Sequence, residues 1–363
     1  MLITRPHGKY GESMFDPDFY CGKTVFITGA TGFKGAWMSL LLSLHGATVI
    51  GYALKPPTTP SLFDVLDLKN RIIFVEGDIR DLDKLAGTMA QYRPEIVIHM
   101  AAQPIVRESY INPVYTYGTN VMGTVNLLEA VRKCPGVRSV INVTTDKVYL
   151  NHEWEWGYRE TDRLDGHDPY SNSKSCSELV TGAYQRSFLN DAGIAVSTCR
   201  AGNVIGGGDF AVDRIIPDCM RSMESGSDIV VRNPGSIRPY QHVLEPICAY
   251  LCVAQAQYED PALAGAYNIG PEYCDCVTTG ELADLFCKLW GEGARWIGLT
   301  QEKAPHEAGF LKLDCARILR VLGWKPRWHI EDAVKMTVAW GKIYLQHGDL
   351  LAEMQRQIVS YLT

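Results

Sequence analysis

Residues 23–54 read KTVFITGATGFKGAWMSLLLSLHGATVIGYAL, and this stretch decides the fold. The mostly apolar run TVFIT predicts a strand that is buried on both faces. A glycine-rich turn follows, and then a helix with apolar periodicity from Lys34 to about His45, closed by Gly46. The run ATVIGYAL predicts a second strand. A strand, a turn, a helix and a further strand in this order are the repeating unit of a parallel α/β sheet.

The glycines Gly29, Gly32 and Gly35 of this turn have the spacing G-x-x-G-x-x-G. Gly29 permits the tight turn, Gly32 lets a pyrophosphate approach the backbone, and Gly35 lets the helix lie close to the sheet. The helix then presents its free N–H groups and the positive end of its dipole to the phosphates. Because the triplet lies in the strand–turn–helix context that the motif requires, it predicts dinucleotide binding.

The alternation of strands and helices continues to about residue 200. The segments RIIFVEGDIRD, EIVIHMAAQ, SVINVTTDK and IAVSTCRAGNV predict the third to sixth strands, and helical segments lie between them. This pattern predicts an α/β fold with a doubly wound parallel (Rossmann) sheet. Residues 15–200 form the expected Rossmann domain. Residues 1–14 read as an N-terminal extension that joins no element.

The stretch TTDKVY, residues 144–149, holds an acid and a base side by side. Asp146 and Lys147 follow the fifth predicted strand directly. Ligands of a doubly wound sheet bind beyond the carboxyl ends of its strands, so the pair stands where chemistry is expected. From position alone, an ordinary ion pair at the surface is an equally good interpretation.

Tyr170 and Lys174 lie four residues apart and therefore on one face of a predicted helix. A nearby ammonium favours phenolate, so we expect Lys174 to lower the pKa of Tyr170 towards neutrality. Such a tyrosine accepts a proton from a sugar hydroxyl while hydride leaves the same carbon, and Thr145 can share that proton. The combination with the glycine turn is specific, although Tyr-x-x-x-Lys alone is common.

Composition narrows the classes of partner and compartment. The formal net charge of −6 argues against nucleic acid and against an anionic membrane surface as partners. No run is long and apolar enough to span a membrane. The eleven cysteines are an odd number, and no secretory signal precedes them, which favours reduced thiols in the cytoplasm. The CDC at 274–276 lacks a second ligand pair, so no metal site is predicted.

Several motifs together resemble those of a known group. GATGFKG, HMAAQP, TNVMGT, YSNSK and RAGNVIGGGD are similar to motifs of extended short-chain dehydrogenases that act on nucleotide sugars. More narrowly, EWEWGYRE, GHDPYSNSK, GNVIGGGDFAVDRIIPD, RNPGSIRPYQHVLEP and PHEAGFLKLD resemble the CDP-glucose 4,6-dehydratases. The likeness runs from about Phe15 to Trp340, which is close to the whole chain.

The resemblance implies an NAD-dependent hydro-lyase that converts CDP-glucose to CDP-4-keto-6-deoxy-D-glucose. The sugar is oxidised at C4, water leaves across C5–C6, and the hydride returns to C6. The catalytic residues it implies are Thr145, Asp146, Lys147, Tyr170 and Lys174. Asp146 is the candidate acid at the C6 hydroxyl and Lys147 the candidate base at C5. The alternative role for Lys147 is an ammonium that stabilises the enolate.

Two other classes of function stay open at this point. One is a different nucleotide-sugar enzyme, namely a 4-epimerase, a reductase or a dehydratase acting on another nucleotide. The other is a non-catalytic dinucleotide-binding protein. Plain epimerases of the superfamily need only the Tyr, Lys and Thr, so the Asp–Lys pair is the feature that favours a dehydratase.

The resemblance also implies the binding residues and the assembly. Residues 201–363 should form mainly the nucleotide-sugar domain, with segments near 242–270 returning to the Rossmann sheet. A homodimer or homotetramer should form through helices at about 117–133 and 170–187. The implied cofactor-binding residues are Gly29, Thr31, Gly32, Phe33, Gly35, Asp78, Ile79, Ala101, Ala102, Asn120, Tyr170 and Lys174. The implied substrate-binding residues are Gln103, Asn203, Arg214, Arg232, Arg238, His306 and Glu307.

The choice between NAD and NADP rests on the end of the second strand. NAD sites usually place an acidic residue there, but the window VIGYALK has no carboxylate and ends in Lys55. Lys55 is either a solvated charge or a partner for a 2′-phosphate. The resemblance favours NAD.

Overall fold

The computed structural model describes residues 15–299 and 310–363. The predicted extension 1–14 and the candidates His306 and Glu307 lie outside these residues. The described strands are β1 (Thr24–Thr28), β2 (Thr48–Ala53), β3 (Ile73–Glu76), β4 (Ile96–His99), β5 (Ser139–Val143), β6 (Ala195–Ala201), β7 (Val204–Ile205), β8 (Ile229–Val231), β9 (Ile237–Pro239), β10 (Gln241–His242), β11 (Ala266–Ile269), β12 (Cys276–Thr278) and β13 (Trp296–Gly298).

The described helices are α1 (Phe33–Leu44), α2 (Leu62–Val65), α3 (Leu82–Tyr92), α4 (Val106–Ile111), α5 (Pro113–Tyr117), α6 (Gly123–Lys133), α7 (Pro169–Tyr184), α8 (Ile215–Ser225), α9 (Leu244–Glu259), α10 (Thr279–Trp290), α11 (Ala316–Leu322), α12 (Ile330–Leu345) and α13 (Leu350–Leu362). A π-helical turn, Gly118–Met122, joins α5 to α6, and another, Gln185–Leu189, extends α7.

The central sheet has the order β11-β6-β5-β4-β1-β2-β3, and every neighbouring pair in it is parallel. The strand order therefore reverses between β1 and β4, where β1 is flanked by β4 on one side and β2 on the other. This arrangement confirms the predicted doubly wound Rossmann-like sheet. A crevice forms at such a switch point, beyond the carboxyl ends of the strands.

Helices cover both faces of this sheet, because successive side chains of each buried strand point to opposite faces. Val25 and Ile27 of β1 belong to one apolar cluster, together with side chains of α1 and α9. Phe26, between them, belongs to the cluster on the other face, with side chains of α3 and α6. The central strands β1, β4 and β5 are mostly apolar because both of their faces are buried.

A smaller unit stands above the carboxyl edge of the sheet. Its core joins apolar side chains of α8, β8, α10 and α12. Three two-stranded sheets complete it, β7 with β10, β9 with β12 and β8 with β13. The chain also returns to the central sheet, since β11 pairs with β6 and α9 packs on β5 and β6.

The loop after β7 is fixed against the Rossmann unit by close packing. Trp37 of α1 donates from Nε1 to the carbonyl of Gly207 at 2.9 Å. A Cβ on Gly207 would lie 2.0 Å from the ring of Trp340, so only glycine fits there. This contact positions the segment that leads to Arg214, which faces the crevice.

Among the described residues, no helix combines the length and the apolar character that crossing a bilayer requires.

Candidate active site

The crevice at the switch point is a cavity of about 750 Å³ between the sheet edge and the smaller unit. The segments that follow β1, β4 and β5 form its floor, and residues of the smaller unit form its roof. A cavity of this size is in the range of sites for small ligands and cofactors. The parallel strands bring residues that are far apart in sequence to one edge.

The glycine turn after β1 has the geometry that its motif predicts. Gly29 has a φ of 75°, and a Cβ there would lie 2.8 Å from the backbone nitrogen of Ala101. A Cβ on Gly35 would lie 2.2 Å from the carbonyl oxygen of Gly29, so this position also admits only glycine. Gly32 lines the cavity, and its Cβ would meet only Gly29, at 3.4 Å. The first N–H groups of α1, which lack intrahelical acceptors, thus open onto a clear space that fits a diphosphate.

One end of the cavity lies at β2 and β3. Lys55, Asp78 and Ile79 line it. Arg80 donates to both carboxylate oxygens of Asp78 and, mainly through these hydrogen bonds, holds the pKa of Asp78 below its usual range. The carboxylate that lines this end therefore comes from the exit of β3 and not from β2.

The Asp–Lys pair lies in the cavity at the exit of β5. The Thr145 hydroxyl donates to Asp146 Oδ1 at 2.9 Å, while Asp146 Oδ2 is buried and has no hydrogen-bond partner among the described residues. Burial raises the pKa of Asp146, against the opposing effect of the Lys147 ammonium. Asp146 is 2% exposed, so it is an acid in an enclosed site and not half of a surface ion pair. This carboxyl group is suited to hold a proton and to donate it.

Tyr170 and Lys174 lie one turn apart on α7, but they do not interact as expected. Tyr170 lines the cavity, whereas the buried Lys174 donates from Nζ to the carbonyl of Val143 at 2.9 Å. Burial raises the pKa of Tyr170 to about 12, and Thr145 opposes this rise. The expected lowering of that pKa by Lys174 is therefore wrong. The ammonium faces a main-chain carbonyl, and desolvation of the phenol dominates.

Lys34 is a cavity residue that sequence reasoning missed as a site candidate. It is the second residue of α1, inside the glycine turn. Burial, followed by the charge of Lys34, lowers the pKa of Lys174 to about 8. The feature of the sequence that could have identified Lys34 is that it is a lysine in a turn whose other residues are small or apolar.

Asn120, a predicted cofactor contact, lies behind the cavity wall and does not line it. It is buried, accepts a hydrogen bond from the backbone N–H of Gln103 at 2.8 Å, and donates to Ser173 at 2.9 Å. Gln103 lines the cavity, but its side chain is engaged with Ile105 and Thr116. Both residues thus shape the wall from within. The other predicted cofactor residues in the described part, Thr31, Phe33, Ala101 and Ala102, line the cavity.

The predicted substrate residues of the smaller unit reach the same cavity, where Asn203, Arg214, Arg232 and Arg238 all line it. Arg214 pairs with Asp209 at 3.0 Å. Arg232 pairs with Asp213 and, at 2.7 Å, with Asp218. Sequence reasoning missed these aspartates, since an acid in a loop (Asp209, Asp213) or in the first turn of a helix (Asp218) carries no signal of its partner.

A buried ion pair holds α7 against the ends of β5 and β6. Glu178 accepts two hydrogen bonds from Arg200, at 2.9 and 2.8 Å. The hydroxyls of Thr144 and Thr198 donate to the same carboxylate, at 2.5 and 2.7 Å. Glu178 lies one turn beyond Lys174, so this pair fixes the helix that carries Tyr170.

The family model described as GDP-mannose 4,6 dehydratase matches residues 26–337. The chain belongs to this family. A CDP-glucose 4,6-dehydratase of Salmonella typhimurium is 49% identical over 356 residues, which cover 96% of this chain and 99% of the relative. A dTDP-glucose 4,6-dehydratase of Streptomyces antibioticus is 29% identical, covering 87% of this chain and 91% of the relative.

Solved structures of similar fold include nucleotide-sugar dehydratases and epimerases. The dTDP-glucose 4,6-dehydratase of Bacillus anthracis, in complex with NAD, has a TM-score of 0.73 at 22% identity and covers 91% of this chain and 100% of its own. The UDP-glucose 4-epimerase of Thermotoga maritima, with UDP-glucose, has a TM-score of 0.77 at 23% identity and covers 89% of this chain and 99% of its own. At these identities the likeness supports the fold.

We expect Glu178→Gln to destabilise the protein by about 3–5 kcal/mol, because Arg200 would remain buried without its counter-charge. Asp228→Asn is the matched control: it breaks the exposed Asp228–Arg295 pair (2.7 Å) and should leave stability nearly unchanged. Urea unfolding of the wild type and both variants gives the two differences in free energy. Equal losses in the two variants would show that the buried pair does not anchor α7.

Proposed function

We propose that this chain is a CDP-glucose 4,6-dehydratase that uses NAD. The observation that carries the proposal is the enclosed acid Asp146, adjacent to Lys147 and facing the same cavity as Tyr170. An epimerase has no step that needs an acid at C6, whereas elimination of water does. The name of the Salmonella typhimurium relative supports the choice of nucleotide and sugar.

The first step removes the C4 hydroxyl proton. Tyr170 accepts this proton, and the Thr145 hydroxyl shares it. The glycine turn would hold NAD, which would supply the hydride acceptor for C4 and, once reduced, the hydride donor for C6, while C5 takes back a proton. A positive charge near the phenol favours its ionised form, so a bound cationic cofactor offsets the effect of burial on Tyr170.

The second step eliminates water. The C4 ketone makes the C5 proton acidic, and the half-buried Lys147 is placed at the cavity wall to accept it. Asp146 donates a proton to the C6 hydroxyl, which leaves as water. The raised pKa of Asp146 matches this role, because the group must carry its proton before the step. In the alternative role, Lys147 remains an ammonium and stabilises the enolate.

The two units divide the binding, in our proposal. Residues 15–200 hold the cofactor, with its diphosphate at the glycine turn and its adenosine at Asp78 and Ile79. Residues 201–363 hold mainly the nucleotide sugar. Arg238 meets the diphosphate, Asn203 and Arg214 the sugar or phosphates, and Arg232 the cytosine. Arginine suits these positions because its planar fork gives two parallel hydrogen bonds to phosphate oxygens.

We also propose that the protein is a cytoplasmic homodimer or homotetramer. Apolar side chains are exposed along the joined helices α5 and α6 and along α7 with its extension. They are Val114 (86% exposed), Met122 (54%), Leu179 (60%) and Phe188 (46%). Such a patch on two adjacent helices is typical of a protein interface. The free thiols of all eleven cysteines fit a reducing compartment.

The test of the function is incubation with CDP-glucose, followed by the alkali-induced ultraviolet absorbance of a 4-keto-6-deoxy sugar. We expect product from CDP-glucose and much less from UDP-glucose, the matched control substrate. Cofactor released on denaturation should be NAD. Interconversion of C4 epimers without loss of water would instead establish a 4-epimerase, and release of NADP alone would overturn the choice of cofactor.

The roles of the strand-exit pair separate by isotope exchange. Lys147→Met keeps the long apolar stem, so it should fold, oxidise C4 and accumulate reduced cofactor, with C5 exchange in heavy water slowed by about 10²–10⁴-fold. Asp146→Asn should exchange C5 but release water slowly. Mass spectrometry of recovered sugar measures deuterium at C5. Exchange at the wild-type rate in Lys147→Met would leave lysine only its electrostatic role.

The interface is tested by Leu179→Glu, which places a charge in the exposed apolar patch. Light scattering should show a dimer or tetramer for the wild type and a smaller species for the variant. Glu331→Gln, an exposed change on α12 outside the proposed interface, is the control that should leave the assembly intact. A monomeric wild type would exclude the proposed assembly.

A further inference from the structure

The proposed chemistry gives roles to the cavity-lining cations Lys147, Arg214 and Arg238. Lys34 lines the same cavity and has no role in it. Neither neighbouring acid forms an ion pair with it, since Asp209 pairs with Arg214 and burial favours the protonated, neutral form of Asp146. Within the described residues, Lys34 takes part in no hydrogen bond or ion pair. Its ammonium lies 5.9 Å from the centre of the Tyr250 ring. An ammonium without a counter-charge at a cavity wall is expected to act on what binds there.

The charged and titratable neighbours of Lys34 come from every element packed around it. They are Asp146 after β5, Lys174 on α7, Asp209 in the loop after β7, Arg214 before α8 and Tyr250 on α9. Asp146, Asp209 and Arg214 line the same cavity as Tyr170, and Lys174 lies one turn after Tyr170 on α7. The opposite end, at β2 and β3, is the one lined by Lys55 and Asp78.

This placement indicates which part of a dinucleotide Lys34 faces. The glycine turn takes the diphosphate, and the β2–β3 end takes the adenosine. The redox-active ring of a dinucleotide bound in this way would lie on the side of Tyr170, where the proposed hydride transfer takes place. The side chain of Lys34 starts at the turn and is directed to the same end.

We propose that Lys34 faces the nicotinamide end of the cofactor and destabilises its oxidised, positively charged form relative to the reduced, neutral form. The inference rests on the proposed function, because it requires that the cavity bind a nicotinamide dinucleotide. Like charges repel in a water-poor site, and the reduced ring carries no charge to repel. Lys34 thereby favours uptake of hydride from C4.

Direct binding measurements test the inference without turnover. NAD⁺ and NADH are titrated separately into wild type, Lys34→Met and Lys34→Arg from which bound cofactor has been dialysed. We expect Lys34→Met to bind NAD⁺ about 3- to 30-fold more tightly relative to NADH than the wild type does. Lys34→Arg keeps the charge and should keep the wild-type ratio. Circular dichroism checks that each variant is folded.

The ratio should also depend on pH. Burial, followed by Arg214, lowers the pKa of Lys34 to about 8, while Asp146 and Asp209 act in the opposite direction. A lysine is charged below its pKa and neutral above it, so raising the pH from about 7 to about 9 should tighten NAD⁺ binding relative to NADH. Lys174, whose pKa is also lowered to about 8, titrates in the same range in all three proteins, so the change should be clearly larger in the wild type than in Lys34→Met and Lys34→Arg. A change of equal size in all three would assign the pH dependence to Lys174 and overturn this part of the inference.

Lys55→Met is the matched control, since it removes a cavity lysine from the adenosine end. It should change the two affinities by the same factor. Equal weakening of NAD⁺ and NADH in Lys34→Met would mean that Lys34 binds the shared diphosphate, and an unchanged ratio would mean that it does not face the ring. Either result overturns the inference and leaves the proposed function standing. Failure of the wild type to bind either form would refute the proposed function and the inference together.

Discussion

The carboxylate of Glu178, buried against the guanidinium of Arg200, is the interaction on which the catalytic arrangement depends. Four hydrogen bonds converge on it, two from Arg200 and one each from Thr144 and Thr198. They tie α7 to the ends of β5 and β6 at once. Tyr170 lies two turns before Glu178 on this helix, and Asp146 lies two residues after Thr144. The distance between a helix residue and a strand-exit residue is thus set by one buried ion pair.

Burial also controls the ionisation of the titratable groups in and around the cavity. Burial raises the pKa of Asp146 and of Tyr170 and lowers that of Lys34 and of Lys174, so all four shift towards their neutral forms. The shifts share one cause, since a cavity of low dielectric disfavours any charge that lacks a partner. A bound cofactor and a bound diphosphate each bring charge, which resets these equilibria only when the ligands are in place.

The arginines of the smaller unit that line the cavity are held in place by ion pairs. Aspartates of neighbouring segments form ion pairs with Arg214 and Arg232. These aspartates hold the guanidinium groups at the cavity and satisfy their hydrogen bonds. A phosphate that enters the cavity has to replace or share these aspartate contacts. Binding therefore exchanges one ion pair of each arginine for another and does not pair a guanidinium that was previously solvated by water.

The sequence by itself determined the elements whose signals are local. The apolar runs and the glycine spacing of residues 23–54 predicted the first strand, turn and helix, and the alternation beyond them predicted the sheet. Because parallel strands end at one edge, the sequence also placed Thr145, Asp146 and Tyr170 at one site, and the resemblance of its motifs named their chemistry.

Tertiary structure decided the remaining features. It put Asn120 behind the wall, turned Lys174 to the carbonyl of Val143 and reversed the expected shift of Tyr170. It also surrounded Lys34 with charged and titratable residues from five other segments of the chain. The physical reason is that desolvation and charge pairing depend on residues that the fold brings together from distant parts of the chain, and spacing along the sequence carries no information about them.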